Sequence, residues 1–449
     1  MKNVLILGAG QSAPYLINYL LNEAEKNDWY VTVCDRDKEL AARRINSHPR
    51  GKAVEFDVND ENMRNDQIKN ADIVVNFLAP VFQYLIASDC LKYGKHVVTA
   101  SYENSRVAEL NQEAISKGVI ILNEMGLDPG IDHMSAMKII QNIKDRNGII
   151  TSFISYGTSL PAPDVDFNNL KYCITWNPKN VALAGEAGAQ YMEDNKIKIV
   201  GHNQLFNRTW KVEVDGIGTL EAYPNRDSLI YRKIFDLEKV TTMIRGTLRY
   251  PGYSEIWLQI VRLGIPNDIM KIPELADKTY REFTEMFVPV NTNGAKLETR
   301  VANHLGINPT GKIIDNFIWL GLFDDKKIGG TVKTAADVLT KLLIEKLPLP
   351  DGARDMVALI HEIEAEFPKE NNKKEKTTST FVEYGEPNGF TAISKTVGLP
   401  AAIATKLILK DELPLTGCHI PTHPVIYTRL LKEMEEIGFK FKEKVEVVK

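Results

Sequence analysis

The chain has 449 residues, 44% of them apolar, with 59 acidic against 55 basic side chains and a formal net charge of −4. At about 150 residues per domain this predicts two or three units able to bury a core unaided, and the acidic balance argues against nucleic acid as a partner. Cys34, Cys90, Cys173 and Cys418 form no CxxC pair and no apolar run approaches the ~18 residues of a membrane span, so the expectation is a reduced, cytoplasmic protein with no metal and no membrane.

The short apolar start, Val4–Leu7, runs straight into Gly8-Ala9-Gly10 and reads as a first buried strand, not as a signal peptide. Further β-rich runs follow at Tyr30–Cys34, Ala53–Phe56, Ile73–Phe77, His96–Thr99 and Val119–Leu122, with helical patterns such as Tyr15–Leu21 and Val107–Ser116 between them. This alternation predicts an α/β, doubly wound parallel dinucleotide domain over 1–127. Beyond Gly130 a helical pattern over Met134–Ile143 leads away. Strand-like stretches at Ile149–Tyr156, Tyr172–Trp176, Trp210–Val214 and Ser228–Phe235 then predict an antiparallel sheet. The region 254–347 reads as a helical insertion. Asp355–Glu364 and Ser379–Tyr384 flank the charged run Lys369–Lys376, read as a solvated hairpin tip. Thr391–Leu409 reads as a helix and Phe439–Val448 as a last strand.

Two motifs carry chemistry. Gly8-Ala9-Gly10-Gln11-Ser12-Ala13 matches GxGxxG/A between a strand and a helix. The first glycine permits the tight turn, the second lets a pyrophosphate approach the backbone, and the small third residue lets helix and strand pack. Asp35 ends the second strand, 22 residues after Ala13. Its carboxylate can accept from ribose hydroxyls, which favours NAD, whereas Arg36 could pair with the 2′-phosphate of NADP. Asp57-Val58 and Leu78 also fall at strand ends, where ligands of such sheets bind, although Val58 and Leu78 are equally explained as core. The second motif is Gly126-Leu127-Asp128-Pro129-Gly130-Ile131-Asp132-His133. Its glycines and proline would carry Asp128 on a rigid turn near the nicotinamide; the same residues could be a helix start, with Asp128 as cap and Pro129 at its first position. His419 and His423 are four apart, but Pro421 between them argues against a metal-binding helix.

Together with SLPAP at 159–163, YPNRDS at 223–228, RGTLRY at 245–250 and TVGLPAAIATKLIL at 396–409, these motifs resemble the saccharopine dehydrogenase family, in its glutamate-forming saccharopine reductase type. The resemblance implies a dinucleotide domain completed by 390–449 and a substrate domain over 128–389 with a mixed sheet and the helical insertion. It implies NAD(P)-dependent reductive condensation of glutamate with α-aminoadipate δ-semialdehyde to saccharopine; a homodimer is expected from the general frequency of such assemblies and the fold. Substrate contacts are implied at Ser101, Tyr102, Asp128, Arg226, Thr247, Leu248 and Arg249. Cofactor contacts are implied at Gly8, Gly10 to Ala13, Asp35, Arg36, Asp57, Val58, Leu78 and 126–133. Asp128, with Tyr102 second, is the candidate acid/base. The chain departs from the family's usual pattern at Asp35, where a Cys-Arg-Thr-like strand end with NADP is usual, and at Gly157, where a cysteine often follows Ser-Tyr.

The residue types suit that chemistry. Guanidinium forks anchor carboxylates, and Arg226 and Arg249, with Arg245 as a weaker third, supply them. A carboxynorspermidine-type dehydrogenase would want acidic groups in place of these arginines. A non-catalytic dinucleotide sensor would be expected to have lost them.

Overall fold

The computed structural model describes residues 1–165 and 168–448. Its strands in chain order are β1 (Lys2–Leu7), β2 (Trp29–Asp35), β3 (Gly51–Glu55), β4 (Ile73–Asn76), β5 (His96–Thr99), β6 (Ile120–Leu122), β7 (Ile149–Pro161), β8 (Ala189–Glu193), β9 (Lys196–Val200), β10 (Trp210–Val214), β11 (Gly218–Pro224), β12 (Thr242–Arg249), β13 (Asp355–Phe367), β14 (Lys373–Tyr384), β15 (Gly417–His419) and β16 (Phe441–Val448).

The first sheet is parallel throughout, in the order β15-β6-β5-β4-β1-β2-β3. β1 and β4 are nearly continuous apolar runs because helices cover both faces. The order reverses between β1 and β4, so the crevice for a ligand opens at their C-terminal ends. The helix Ala392–Leu409 packs on the helix Pro14–Asn27. Gly398 makes the contact possible, since a Cβ there would stand 2.8 Å from Leu16 N. This helix corrects the expectation that no segment has the length and apolarity of a membrane span. Its 18 residues have a mean hydropathy of 1.4, but 83% of them are buried inside the fold, which makes it a core helix.

The second sheet is mixed, with the path β10-β11-β12-β7-β13-β14-β16 and the hairpin β8–β9 attached through β12. β7 pairs parallel with β12 and antiparallel with β13. The helices of 253–346 pack against one flank of this sheet in a single apolar cluster around Trp257, Phe283 and Phe317.

Several local expectations are corrected. Ser228–Phe235 is not a strand: Ile230–Ile234 is a short helix, because Tyr231 and Phe235, one turn apart, pack as tilted rings at 5.4 Å and both meet His133. Tyr172–Trp176 has no regular structure; the Asn168 amide bonds the Tyr172 backbone and the two aromatic side chains bond each other. The helix expected over Val107–Ser116 is two short ones, Ser105–Ala108 and Asn111–Ser116. The charged run is only partly a tip: Lys373–Lys376 lie in β14, and Glu375 is buried, held by Arg146 at 2.7 Å. The last strand, β16, pairs with β14 of the second sheet, so within 390–449 the first sheet gains only β15.

Candidate active site

A cavity of about 1430 Å³ lies between the C-terminal edge of the first sheet and the second sheet. That is room for a ligand larger than one drug-sized molecule. Ser12, Leu78, Ser101 and the loop 126–129 line it from one side; Thr247, Arg249 and Arg226 line it from the other.

At the dinucleotide end, Gly8 has φ +102, and a Cβ would meet Phe77 O at 2.8 Å. Gly10, by contrast, faces open space, so a pyrophosphate can approach its backbone. Ala13 is buried under the helix that starts at Pro14, and that start has no side-chain cap. These features fit a dinucleotide. Asp35 Oδ2 accepts from Ala9 N at 2.8 Å and Oδ1 from Asp37 N at 3.0 Å, which ties the end of β2 to the glycine turn. The Arg36 guanidinium pairs with Asp57 at 3.1 Å, both side chains exposed. Val58 is core; its carbonyl accepts from buried Arg64 at 2.7 Å, and its side chain does not face the cavity.

The second motif is a tight loop whose geometry demands its glycines. Gly130 has φ +145, and a Cβ there would stand 2.0 Å from Gly126 O. The helix Ile131–Asp145 begins after it, with Gly130 as N-cap. Asp128 is therefore not a cap, and its carboxylate instead meets three groups. Tyr102 donates to Oδ1 at 3.0 Å, Arg245 Nη2 donates to the same oxygen, and Oδ2 lies beside Gly157, where a Cβ would be 3.1 Å away. The residues that follow do not face the cavity. Ile131, Asp132 and His133 are buried behind the loop, which corrects their expected direct contact with cofactor. Leu248 is likewise core, and its carbonyl accepts from Thr158 and Arg249.

Behind Asp128 runs a buried charge network that the sequence did not reveal. Arg245 bridges Asp128 to Asp132 Oδ2 at 3.0 Å and lies 4.2 Å over the Tyr231 ring, so it is a support for Asp128 and not a third carboxylate anchor. His133 has Nε2 3.4 Å from Asp132 and Nδ1 3.0 Å from Glu124. Burial pushes the Asp132 carboxyl up to about 6, with His133 opposing and Asp128 adding to the rise. Burial also works against ionised Asp128, but Arg245 first, then His133 and the Tyr102 hydroxyl, outweigh it and hold that carboxyl below its ordinary range. Loss of water, then the Asp128 charge, pushes the Tyr102 phenol well up, so it remains a donor. Further back, His361 sits between Ser135 at 2.8 Å and Ser155 at 3.0 Å, and burial lowers its pKa to about 3.

Arg249 is caged by the rings of Tyr172, Tyr253 and Tyr223, at 4.9, 5.3 and 5.8 Å from its Cζ. Nη1 donates to Leu248 O at 2.8 Å and to Thr158 at 3.3 Å, and buried Nε has no partner. A buried guanidinium with spare donors at a cavity wall is built to take an anion. Arg226 also lines the cavity, but from an exposed turn with φ +48. The tyrosine cage was not legible in the sequence, because Tyr172 comes from a segment without regular structure.

The match to known proteins covers both halves of this arrangement. Residues 4–122 match the family model for the saccharopine dehydrogenase NADP binding domain and 126–439 that for the saccharopine dehydrogenase C-terminal domain. The chain is 33% identical to saccharopine dehydrogenase [NADP(+), L-glutamate-forming] of Saccharomyces cerevisiae and 30% identical to the protein of the same name in Schizosaccharomyces pombe, each over 99% of both chains. The apo structure of saccharopine dehydrogenase (L-Glu forming) from Saccharomyces cerevisiae superposes with a TM-score of 0.87, at 32% identity, over 99% of this chain and 100% of that one. With the glycine turn, the Asp128 loop and the two arginines falling inside those matched regions, the chain belongs to the saccharopine dehydrogenase family.

Proposed function

We propose that the protein is an NAD(P)-dependent oxidoreductase acting on a CH–NH bond: it condenses glutamate with α-aminoadipate δ-semialdehyde and reduces the product to saccharopine, reversibly. The observation that carries the reading is the placing of two guanidinium groups, Arg249 and Arg226, around Asp128 and Tyr102 in a cavity that also reaches the dinucleotide turn. Saccharopine has three carboxylates flanking a secondary amine, and two forked cations across the cavity from a carboxylate match those charges.

A bound nicotinamide supplies or accepts the hydride. The chain's own residues hold the reactants in line and manage charge and protons. Backbone N–H groups around Gly10 and the start of the helix Pro14–Asn27 hold the pyrophosphate. The Asp128 carboxylate, kept ionised by Arg245, attracts the glutamate ammonium and then the iminium that forms when water leaves. Oδ2, which is not engaged by Tyr102 or Arg245, receives the amine proton and returns it to the departing hydroxyl. Tyr102 donates to Oδ1 and fixes the carboxylate plane. Ser101 and Thr247 add polar contacts at the wall, and Arg249 takes a carboxylate. Assembly as a cytoplasmic homodimer belongs to the same reading, a twofold dimer being the commonest closed assembly of soluble proteins.

The test is saccharopine-dependent formation of NADH or NADPH by the purified chain. Activity that vanishes in Asp128→Ala and falls steeply in Arg226→Ala supports the reading. No reduction of either cofactor at millimolar saccharopine refutes it.

A further inference from the structure

We propose that Arg226 and Asp227 form a subsite for the zwitterionic head of the aldehyde substrate, with Asp227 accepting its free α-ammonium group. The proposal rests on the functional reading above and deepens it by assigning the two ends of the substrate to the two ends of the cavity.

Successive side chains of an extended strand point to opposite faces. Arg226 and Asp227 come one residue after the end of β11, yet both line the cavity. The left-handed backbone at Arg226, φ +48, breaks the alternation and brings neighbouring side chains to one side. This turn is pinned on each flank. Asn225 N donates to Arg245 O at 2.8 Å, Gln190 N donates to Arg226 O at 2.9 Å, and Ser228 N donates to Gln190 O at 2.9 Å. Ser228 Oγ then accepts from Arg245 N at 2.9 Å. The subsite is thus tied through β12 to the residue that supports Asp128.

Asp227 is oriented but not neutralised. Its Oδ1 accepts from Leu229 N at 2.8 Å, and among the described residues neither Asp227 nor Arg226 has an ion-pair partner, each other included. A cation on a pinned turn and an oriented anion, adjacent and unpaired at a cavity wall, match the carboxylate and ammonium of an α-amino acid. Of the other carboxylates on that wall, Asp128 is engaged by Tyr102 and Arg245 and Glu103 by the Asn123 amide at 3.0 Å, while Glu186 is exposed and, unlike Asp227, has no adjacent arginine. Arg249 has only hydroxyl, carbonyl and aromatic neighbours, so its end suits a carboxylate without an ammonium.

The chemistry then fixes the orientation. Glutamate uses its amine to form the new C–N bond, so its half of the product retains only carboxylates beside that nitrogen. The aldehyde half keeps an untouched α-ammonium and α-carboxylate. The aldehyde half therefore sits on Arg226 and Asp227, and the glutamate half on Arg249.

The experiment compares α-aminoadipate δ-semialdehyde with 6-oxohexanoate, the same aldehyde without the amino group, each with glutamate and reduced cofactor. It is run on wild type, Asp227→Asn and Glu186→Gln. Asparagine retains an acceptor for Leu229 N, so the turn survives. Wild type should prefer the amino aldehyde by about thirtyfold in kcat/KM, the size of one charge-assisted hydrogen bond. Asp227→Asn should lose most of that preference while its rate with 6-oxohexanoate stays within about threefold of wild type. Glu186→Gln, at another carboxylate of the wall, should keep the preference. An equal loss on both aldehydes in Asp227→Asn, or a preference that survives there, overturns the proposal. So does a preference abolished in Glu186→Gln. Turnover of neither aldehyde by wild type refutes the functional reading itself, a result distinguishable from these.

Discussion

Replacing Asp35 with serine should move the cofactor preference from NAD toward NADP. Asp35 ends β2 and is half-buried, with both oxygens directed at backbone amides, Ala9 N at 2.8 Å and Asp37 N at 3.0 Å. That fixes its charge where the adenosine ribose should lie. A unit charge pair at 4 Å is worth about 1 kcal/mol in water and about 4 kcal/mol near a protein surface, and a 2′-phosphate carries close to two charges. Arg36 can offset the repulsion only by leaving Asp57, to which it is joined at 3.1 Å by an exposed pair worth about 1 kcal/mol or less. The balance predicts that wild type favours NAD by at least about tenfold in kcat/KM, or ~1.4 kcal/mol. Asp35→Ser should lower that ratio at least tenfold, because it removes the repulsion and frees Arg36, while the hydroxyl still serves one of the two amides. Initial rates of saccharopine oxidation with each cofactor, at low and at high salt, give the ratio; salt should shrink the discrimination. The yeast relatives are named for NADP(+), so the contrast is sharp. A tenfold preference of wild type for NADP, or a ratio unmoved by Asp35→Ser, would refute the electrostatic argument.

Arg226→Ala should lower kcat/KM for saccharopine by about 2–4 kcal/mol with the melting temperature nearly unchanged, since the side chain is exposed and supports nothing else; unchanged kinetics would place Arg226 outside the site. Acid stability should depend on Glu375, whose carboxyl Arg146, then Lys373, holds down at about 2. A depressed carboxyl contributes stability above its unfolded value, near 4.3, and loses it as pH falls toward 2. Glu375→Gln should therefore cost about 1–2 kcal/mol at pH 7 and only a small fraction of that near pH 2, as read from urea midpoints across that range; an undiminished cost at pH 2 would sink the assignment.

The parallel sheet was legible because its strands are apolar on both faces and because glycine and small residues mark the first turn. The Asp128 loop was legible as unusual backbone, and Gly130 shows why: no other residue fits over Gly126. What stayed hidden depends on long-range packing. Aromatic and β-branched residues at Ser228–Phe235 mimic a strand, and only the packing of Tyr231 and Phe235 against His133, tilted and edge-on, makes a helix of them. Strand β16 was visible from its composition, but pairing with β14 is decided across the fold. The same holds for Arg245: as one arginine of RGTLRY it looked like an anchor, and its use became clear only with Asp128 and Asp132 on the same guanidinium. Asp132 and His133 sat in a motif that marks the cofactor loop, yet their side chains turn inward and tune Asp128 from behind.

The bond made and broken lies between the glutamate nitrogen and the aldehyde carbon of the other substrate. Chromatographic identification of the products of saccharopine oxidation tests this most directly. Glutamate and α-aminoadipate δ-semialdehyde should form in equal amounts with reduced cofactor; lysine and 2-oxoglutarate would place the broken bond on the other side of the nitrogen.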